Sequence, residues 1–347
     1  GFINCTMVDE LIKKIVSQYT NDDFTMLPIE LGNINLSYQV ITSSGKYFLQ
    51  KINSSVFSNP LQIIDNHNII YRHLLNTDPP LALIPLLKNL SGQFYVLDEV
   101  QNVWRMTPFI KSKTVTRPEN QEQLINHVKM VGRFLVAMSS LSPSALSIHF
   151  PDFHNSVSRY QGFKKAVKNA NEMFIKQAKE EINFINIHAH IFDTIAAPDL
   201  PLRIVHNDVK ISNSLFSIDS NHVLGLIDWD TVLPGTILSD YGDMIRTSLN
   251  NLNEDDPNIH EIKVDKNQYL SCKSTFTNML AEVLTSEELL LMDLAPLWMV
   301  LEQAMRFLTD YLQGSNYYKI KYPTHNLIRT KNQIALFKAV KKVVESI

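Results

Sequence analysis

Two short apolar runs, Leu202–Val205 and Val223–Ile227, enclose a polar loop, and this arrangement constrains the chain more than any other feature. Runs of this length bounded by turn residues read as buried strands. The polar residues then sit at strand ends or in the turn between them. The loop reads Val205-His206-Asn207-Asp208-Val209-Lys210-Ile211-Ser212-Asn213, and the second strand runs into Asp228-Trp229-Asp230.

That spacing suits phosphoryl transfer, which asks little covalent chemistry of a protein. One carboxylate orients the attacking hydroxyl, and oxygen ligands hold Mg²⁺ on the phosphates. In the kinase arrangement a loop Asp faces the hydroxyl, an Asn five residues on binds metal, and a later Asp at a strand end binds it too. Asp208, Asn213 and Asp228 fit these roles, and hard oxygen ligands suit Mg²⁺. The plainer reading is that Asp and Asn are good turn formers. The strand context and the second acidic motif favour the site. His206 reads as a loop brace, and Lys210 as a phosphate contact or a solvated side chain.

The loop resembles the His-x-Asp-x-x-x-x-Asn loop of the aminoglycoside phosphotransferase and choline kinase superfamily, carried here by His206, Asp208 and Asn213. Pro234 and Ser239-Asp240-Tyr241-Gly242-Asp243 match as well. The resemblance implies that Asp240 braces the catalytic loop. It also implies ATP as cosubstrate and Mg²⁺ as the metal.

With 347 residues the chain is long enough for two lobes. It is 45% hydrophobic and 19% charged with a formal net charge of −3, so nothing argues for a nucleic-acid partner. No apolar run is long enough to span a membrane, and the N-terminus lacks the pattern of a signal peptide. Two cysteines, Cys5 and Cys272, fit a reducing cytoplasm better than a disulfide framework. Without an obvious coiled coil, a monomer is expected.

The expected fold class is α+β: a two-lobed, protein-kinase-like fold with a small antiparallel-sheet N-lobe and a larger, mainly helical C-lobe. The N-lobe (1–107) reads as a helix over Asp9–Tyr19, strands over Ile34–Ile41 and Lys46–Ile52, a helix from Pro60 to Leu75, and strands over Phe94–Leu97 and Val103–Met106. A hinge at 108–110 follows, where backbone around Pro108, Phe109 and Ile110 would bond adenine. The C-lobe (111–347) opens with a helix from Glu119 whose Leu124, Val128, Val131, Leu135 and Met138 keep helical spacing. A helix over Val157–Ala178 comes next. Pro296 should kink or split a helix over Thr285–Gly314. Asn250–Ile259 reads as a disordered loop.

The turn Glu30–Tyr38 would cover the phosphates, with donors from Gly32, Asn35 and Ser37. It is neither glycine-rich nor a Walker loop. Kinases also carry a Lys on the third strand, paired to a Glu on the next helix. Alternation puts Gln50 and Lys51 on opposite faces, relatives often carry Arg or Lys at the place of Gln50, and the next helix has no Glu. Lys51 is the expected phosphate-facing cation if the strand twists or bulges.

Three further stretches are similar to the N-acetylhexosamine 1-kinase branch: Phe48–Phe57, Ile227–Gly235, and Met305–Gly314 running on through Tyr317-Tyr318 to Thr330. The matches are collinear from about Gly32 to Gln333. This implies an anomeric sugar hydroxyl as acceptor, with Asp208, Asp230, Arg306 and Tyr317 around it. Arg306 and Tyr317 read equally as a helix ion-pair partner and a packing residue. Where that branch often reads Gly-His-Ile-Asn, this chain has Gly32-Asn33-Ile34-Asn35, so Asn33 stands where a His would contact sugar or phosphate. Competing readings are a choline, amino-alcohol or aminoglycoside kinase of the same fold, and a nucleotide-binding pseudokinase.

Overall fold

Apolar alternation in the first third of the chain folds as one antiparallel sheet. The computed structural model describes residues 5–29, 36–148, 150 and 153–347. The chain forms two compact units, Gly1–Ser112 with Ser144–His149, and Lys113–Pro143 with Phe150–Ile347.

In the first unit, helix α1 (Cys5–Val16) precedes β1 (Phe24–Ile29), β2 (Leu36–Thr42) and β3 (Gly45–Lys51). Helix α2 (Pro60–Leu75), β4 (Val96–Leu97) and β5 (Val103–Pro108) follow. The strand order is β1-β2-β3-β5-β4. Ile12, Ile15 and Val16 of α1 are buried in one cluster with Val40, Leu49, Trp104 and Met106 on one sheet face. The expected helix at Asp9–Tyr19 therefore starts and ends earlier. Strand β1 escaped the sequence reading because Pro28 interrupts it. An edge strand tolerates the missing donor.

The second unit carries β6 (Lys113–Thr114), α3 (Gln121–Met138), α4 (Ser156–Asn169), α5 (Glu172–Gln177), α6 (Lys179–His188) and α7 (His190–Ala196). Then come β7 (Arg203–Val205), β8 (Ser214–Phe216), β9 (Val223–Leu226), β10 (Leu233–Gly235), α8 (Ile237–Leu249), α9 (Lys266–Met279), α10 (Ser286–Leu290), α11 (Leu294–Leu312) and α12 (His325–Val344). The architecture is α+β, an antiparallel sheet followed by a mainly helical part.

The single helix expected over Val157–Ala178 is two, because Asn171 turns the chain and caps α5 by accepting the Met173 N–H at 2.9 Å. Pro296 lies in the first turn of α11, where its missing N–H costs nothing, so the expected helix is split ahead of it. The stretch Asn250–Ile259, expected to be disordered, is tied down. Asn332 Nδ2 donates to the Asn253 and Asp256 carbonyls at 2.8 and 3.1 Å, and Asn250 donates to Asn332 Oδ1 at 3.1 Å. The tie comes from the Asn332 side chain of α12, which takes up carbonyls of the stretch, so polar composition alone did not mean disorder. At Gly242 α8 and α11 touch: a Cβ there would lie 2.3 Å from the Ala295 carbonyl oxygen.

Candidate active site

The two apolar runs do not pair with each other. β7 pairs with β10, and β9 pairs with β8, so the polar loop leaves one ladder and enters another. After β7 the chain turns at Asn207, whose φ of 68° lies in the left-handed region that Asn visits more readily than most residues. Fully buried Asp240, in the first turn of α8, accepts the His206 and Asn207 N–H groups at 2.7 and 2.8 Å. Burial raises its carboxyl above the usual range, and these two donors oppose the rise. From the other side, Thr231 Oγ1 donates to the His206 carbonyl at 2.8 Å, and Asn207 Nδ2 to the Thr231 carbonyl at 3.0 Å.

His206 is held as the Nε2–H tautomer. Its Nε2 lies 2.9 Å from the Ile227 carbonyl, and its Nδ1 accepts the Asp208 N–H at 3.2 Å. The backbone of Asp208 is thereby fixed through the ring while its carboxylate stays partly exposed, with Lys210 Nζ 3.6 Å away. The Asp208 charge, and Asp228 after it, hold Lys210 above the ordinary lysine range.

A second histidine, missed by sequence reading, supports the same loop. His127 of α3 is fully buried, with Nε2 2.8 Å from the Val209 carbonyl and Nδ1 2.6 Å from Ser214 Oγ. Its signal was a His inside an apolar helical stripe. Burial pushes it down from 6.5 to about 4. A histidine depressed in the folded state contributes full stability above its unfolded pKa. It loses that contribution as pH falls towards its folded value. Stability is therefore expected to drop between about pH 6.5 and 4, by up to about 3 kcal/mol from this group. Urea titrations across that range should show the drop, flattened in His127→Gln. An equal slope in the variant would contradict the assignment.

Asn213 precedes β8 and Asp228 follows β9 by two residues. The Ser214–Leu226 pairing and the Ile227 N–H donated to the Asn213 carbonyl at 2.8 Å make the two positions neighbours. Asn213 Nδ2 donates to the Asp208 carbonyl at 2.7 Å, which leaves the amide oxygen as the end available to a cation. Asp228 is exposed and has a φ of 62°. For a residue with a Cβ this backbone is costly, and such strain gathers at functional sites. One amide oxygen and one carboxylate fit a Mg²⁺ completed by phosphate oxygens and water. Among the described residues, no group of three or more His, Cys, Asp or Glu forms a self-contained metal site. Asp230 is only 4% exposed, which argues against direct contact with an acceptor and for a role inside the loop.

On the sheet of the first unit, Gly32, Asn33 and Asn35 lie outside the described residues. Ser37 is opposite Gln50 in the ladder, and Gln50 Nε2 donates to Ser37 Oγ at 3.3 Å. Gln50 Oε1 accepts Arg105 Nε and Nη2 at 3.1 and 2.6 Å. Lys51 alternates to the other face, the one that carries Leu49, Trp104 and Met106 against α1. Ser37 and Lys51 therefore cannot both face one nucleotide, which corrects the expectation that they do. The cation on the face of Ser37 and Gln50 is Arg105 of β5, which bonds Gln50. Of the hinge residues, Pro108 ends β5 and has no N–H, and Phe109 N–H is donated to the Lys46 carbonyl at 3.0 Å. The Ile110 carbonyl accepts Ser112 Oγ at 3.2 Å, which leaves the Ile110 amide and the carbonyls of Pro108 and Phe109 as the candidate partners of a ligand.

In the helical part, the Arg306 guanidinium lies over the rings of Phe153 and Tyr318, at 6.0 and 5.9 Å. Buried Asp310, also missed, folds back the segment after α11. It accepts the N–H groups of Asn316, Tyr317 and Tyr318 at 2.9–3.0 Å and Asn326 Nδ2 at 2.8 Å. Tyr317 is left 65% exposed, edge-on to Tyr318. Beneath Arg306, buried Glu302 accepts His154 Nδ1 at 2.7 Å and Ser156 Oγ at 2.9 Å, with Arg159 Nε 3.9 Å away. Burial alone would raise the Glu302 carboxyl, but His154, Arg306 and Arg159 outweigh it and hold it down at about 2. Arg306 also feels the charge of Arg246, whose guanidinium pairs with Asp243 and Glu254. The same two carboxylates help to hold Lys210 above its ordinary range.

The profile of the phosphotransferase enzyme family (APH) matches residues 25–264, more than half of the chain, and the chain belongs to that family. Its fold is the kinase-like fold of this family. An aminoglycoside phosphotransferase from Alicyclobacillus acidocaldarius is similar, with a TM-score of 0.64 and 15% identity over 96% of this chain and 96% of its own. A microcompartment-associated aminopropanol kinase matches with a TM-score of 0.62 and 12% identity over 99% of this chain and 98% of its own. An ethanolamine kinase from Plasmodium vivax matches with a TM-score of 0.58 and 12% identity over 98% of each chain. At these identities the likeness is one of fold. No helix among the described residues is long and apolar enough to cross a membrane.

Proposed function

We propose that this chain is an ATP- and Mg²⁺-dependent small-molecule kinase that phosphorylates the anomeric hydroxyl of an N-acetylhexosamine, giving the sugar 1-phosphate, and that it works as a cytoplasmic monomer. The N-lobe of 1–107, with a hinge at 108–110, binds ATP, and the remainder carries the catalytic loop and the acceptor residues. Asp208 accepts the hydroxyl proton and aims the oxygen at the γ-phosphorus. Asn213 and Asp228 hold Mg²⁺, which neutralises charge on the phosphates. Asp240 and His206 keep Asp208 in place.

The observation that carries the acceptor class is the guanidinium pair Arg306 and Arg159. Their shared carboxylate, Glu302, is already bonded by His154 and Ser156. At this position two guanidiniums stand against one carboxylate, and that local surplus suits neutral hydroxyl and acetamide oxygens better than a quaternary ammonium or a polyamine. This disfavours choline, ethanolamine and aminoglycoside acceptors, although kinases for such compounds share the fold. Tyr317 offers an exposed ring for the apolar side of a sugar. The intact Asp208, Asn213 and Asp228 set favours an enzyme over a pseudokinase.

The test is ADP release with ATP, Mg²⁺ and a panel of N-acetylhexosamines, hexoses, choline, ethanolamine and aminoglycosides. Release with N-acetylhexosamines, with KM for the sugar raised about tenfold or more in Arg306→Ala, is expected. Release only with the cationic acceptors would overturn the sugar reading. Nucleotide binding without turnover on any acceptor would favour the pseudokinase.

A further inference from the structure

One buried carboxylate, Glu302 of α11, organises the surroundings of Arg306. It is 1% exposed and takes His154 Nδ1 and Ser156 Oγ on separate oxygens. Ser156 Oγ also accepts the Trp298 Nε1–H at 2.6 Å. An indole N–H can only donate, so the hydroxyl proton points at Glu302 and the chain of bonds from Trp298 has one direction. Trp298, Glu302 and Arg306 follow one another at intervals of four residues on α11, which puts them on one helix face. The segment 153–159 is clamped to that face. Arg159 closes the clamp by donating Nε and Nη2 to the Phe153 carbonyl at 3.1 and 2.7 Å. This is what brings the Phe153 ring to Arg306.

The Arg306 guanidinium lies over two fixed rings. Phe153 is held by the clamp, and Tyr318 accepts Gln303 Nε2 on its hydroxyl at 3.2 Å. Among the described residues, the Arg306 N–H groups donate to no acceptor, and none of its nitrogens is sealed from solvent. A planar fork of N–H donors held in one orientation is a prepared partner for ligand oxygens. Its orientation depends on charge. Arg159 and Arg306 repel each other, and the Glu302 carboxylate between them offsets that repulsion.

We infer, on the reading that Arg306 lies in the acceptor site, that Glu302 is a positioning residue for the acceptor. It does not touch the sugar. Its charge and its hold on 153–159 keep the Arg306 fork and the Phe153 ring in the relation in which they receive the sugar's oxygens and its apolar face. A neutral amide could accept from Ser156 and His154 equally well, so a carboxylate with only that work would tolerate Gln. The guanidinium would not.

A double-mutant cycle on the full chain tests this. It is read as KM and kcat for N-acetylglucosamine and N-acetylgalactosamine and, without turnover, as their calorimetric Kd in the presence of Mg-ADP. Glu302→Gln keeps the shape of the side chain and removes its charge. KM and Kd for the sugar are expected to rise about tenfold, with kcat within about threefold and KM for ATP unchanged. In an Arg306→Ala background the same substitution should change KM by less than about twofold, because its effect runs through the guanidinium. A carboxylate that only held the fold would act alike in both backgrounds. Ser156→Ala cuts the bond from the clamp to Glu302 and should raise KM about threefold, which keeps the test decisive if Glu302→Gln does not fold. The role of Glu302 alone is overturned if Arg306→Ala raises KM and Kd while Glu302→Gln and Ser156→Ala keep the parent values, or if the Glu302 and Arg306 effects add. If Arg306→Ala leaves sugar binding unchanged, or if neither sugar binds, the acceptor reading falls and the role of Glu302 falls with it.

Discussion

Asp208→Asn is expected to lower kcat by about 10²–10⁴-fold, the usual contribution of a positioned general base, with KM for ATP little changed. The substitution keeps the shape of the side chain and removes its capacity to take a proton. It should also leave the fold intact. The Asp208 carboxylate is partly exposed, and its ionic partner Lys210 is half-exposed and 3.6 Å away, so the lost pair contributes at most about 1 kcal/mol. The loop is held instead by backbone donors to Asp240 and by the His206 ring, which the substitution does not touch. Steady-state kinetics beside a thermal melt will separate these effects. A loss of less than about tenfold, with the melt unchanged, would remove Asp208 from the role of base.

Asp228→Gly should be nearly as damaging and for a different reason. Removing one of the two proposed protein ligands would give up several kcal/mol of charge stabilisation, about 10²-fold or more in rate. Glycine adopts the φ of 62° at no steric cost, so the variant tests the carboxylate without adding backbone strain. The Mg²⁺ concentration for half-maximal activity should rise in this variant, and in Asn213→Ala, but not in Asp208→Asn. Calorimetry of Mg-ADP binding gives a second readout that does not depend on turnover. Equal Mg²⁺ dependence in parent and Asp228→Gly would end the metal assignment.

The layout of the candidate catalytic loop was legible because its parts are close in the chain. A strand, a turn and a strand set the spacing of Asp208, Asn213 and Asp228, and strand pairing makes neighbours of the last two. Helices with a clean apolar face were equally legible, as α2 and α3 show. What escaped depends on contacts that no local pattern encodes. Arg105 meets Gln50 only through the β3–β5 register. His127 hides in an apolar stripe, where a histidine usually reads as a core residue. Asp310 looks like one more helix-end carboxylate, yet it gathers three backbone donors and an amide from the segment that follows. Alternation did show that Gln50 and Lys51 face opposite ways. It did not show which faces the α1 core, and the structure puts Lys51 there.

The acceptor's reacting hydroxyl is the point on which the functional account stands or falls. The most direct measurement is phosphorus NMR of the product formed from ATP, Mg²⁺ and N-acetylglucosamine or N-acetylgalactosamine. The account predicts a glycosyl phosphate with its phosphorus coupled to the anomeric proton, absent when Asp208→Asn replaces the parent enzyme. Phosphate found on the 6-hydroxyl, or only on choline, ethanolamine or an aminoglycoside, would contradict it.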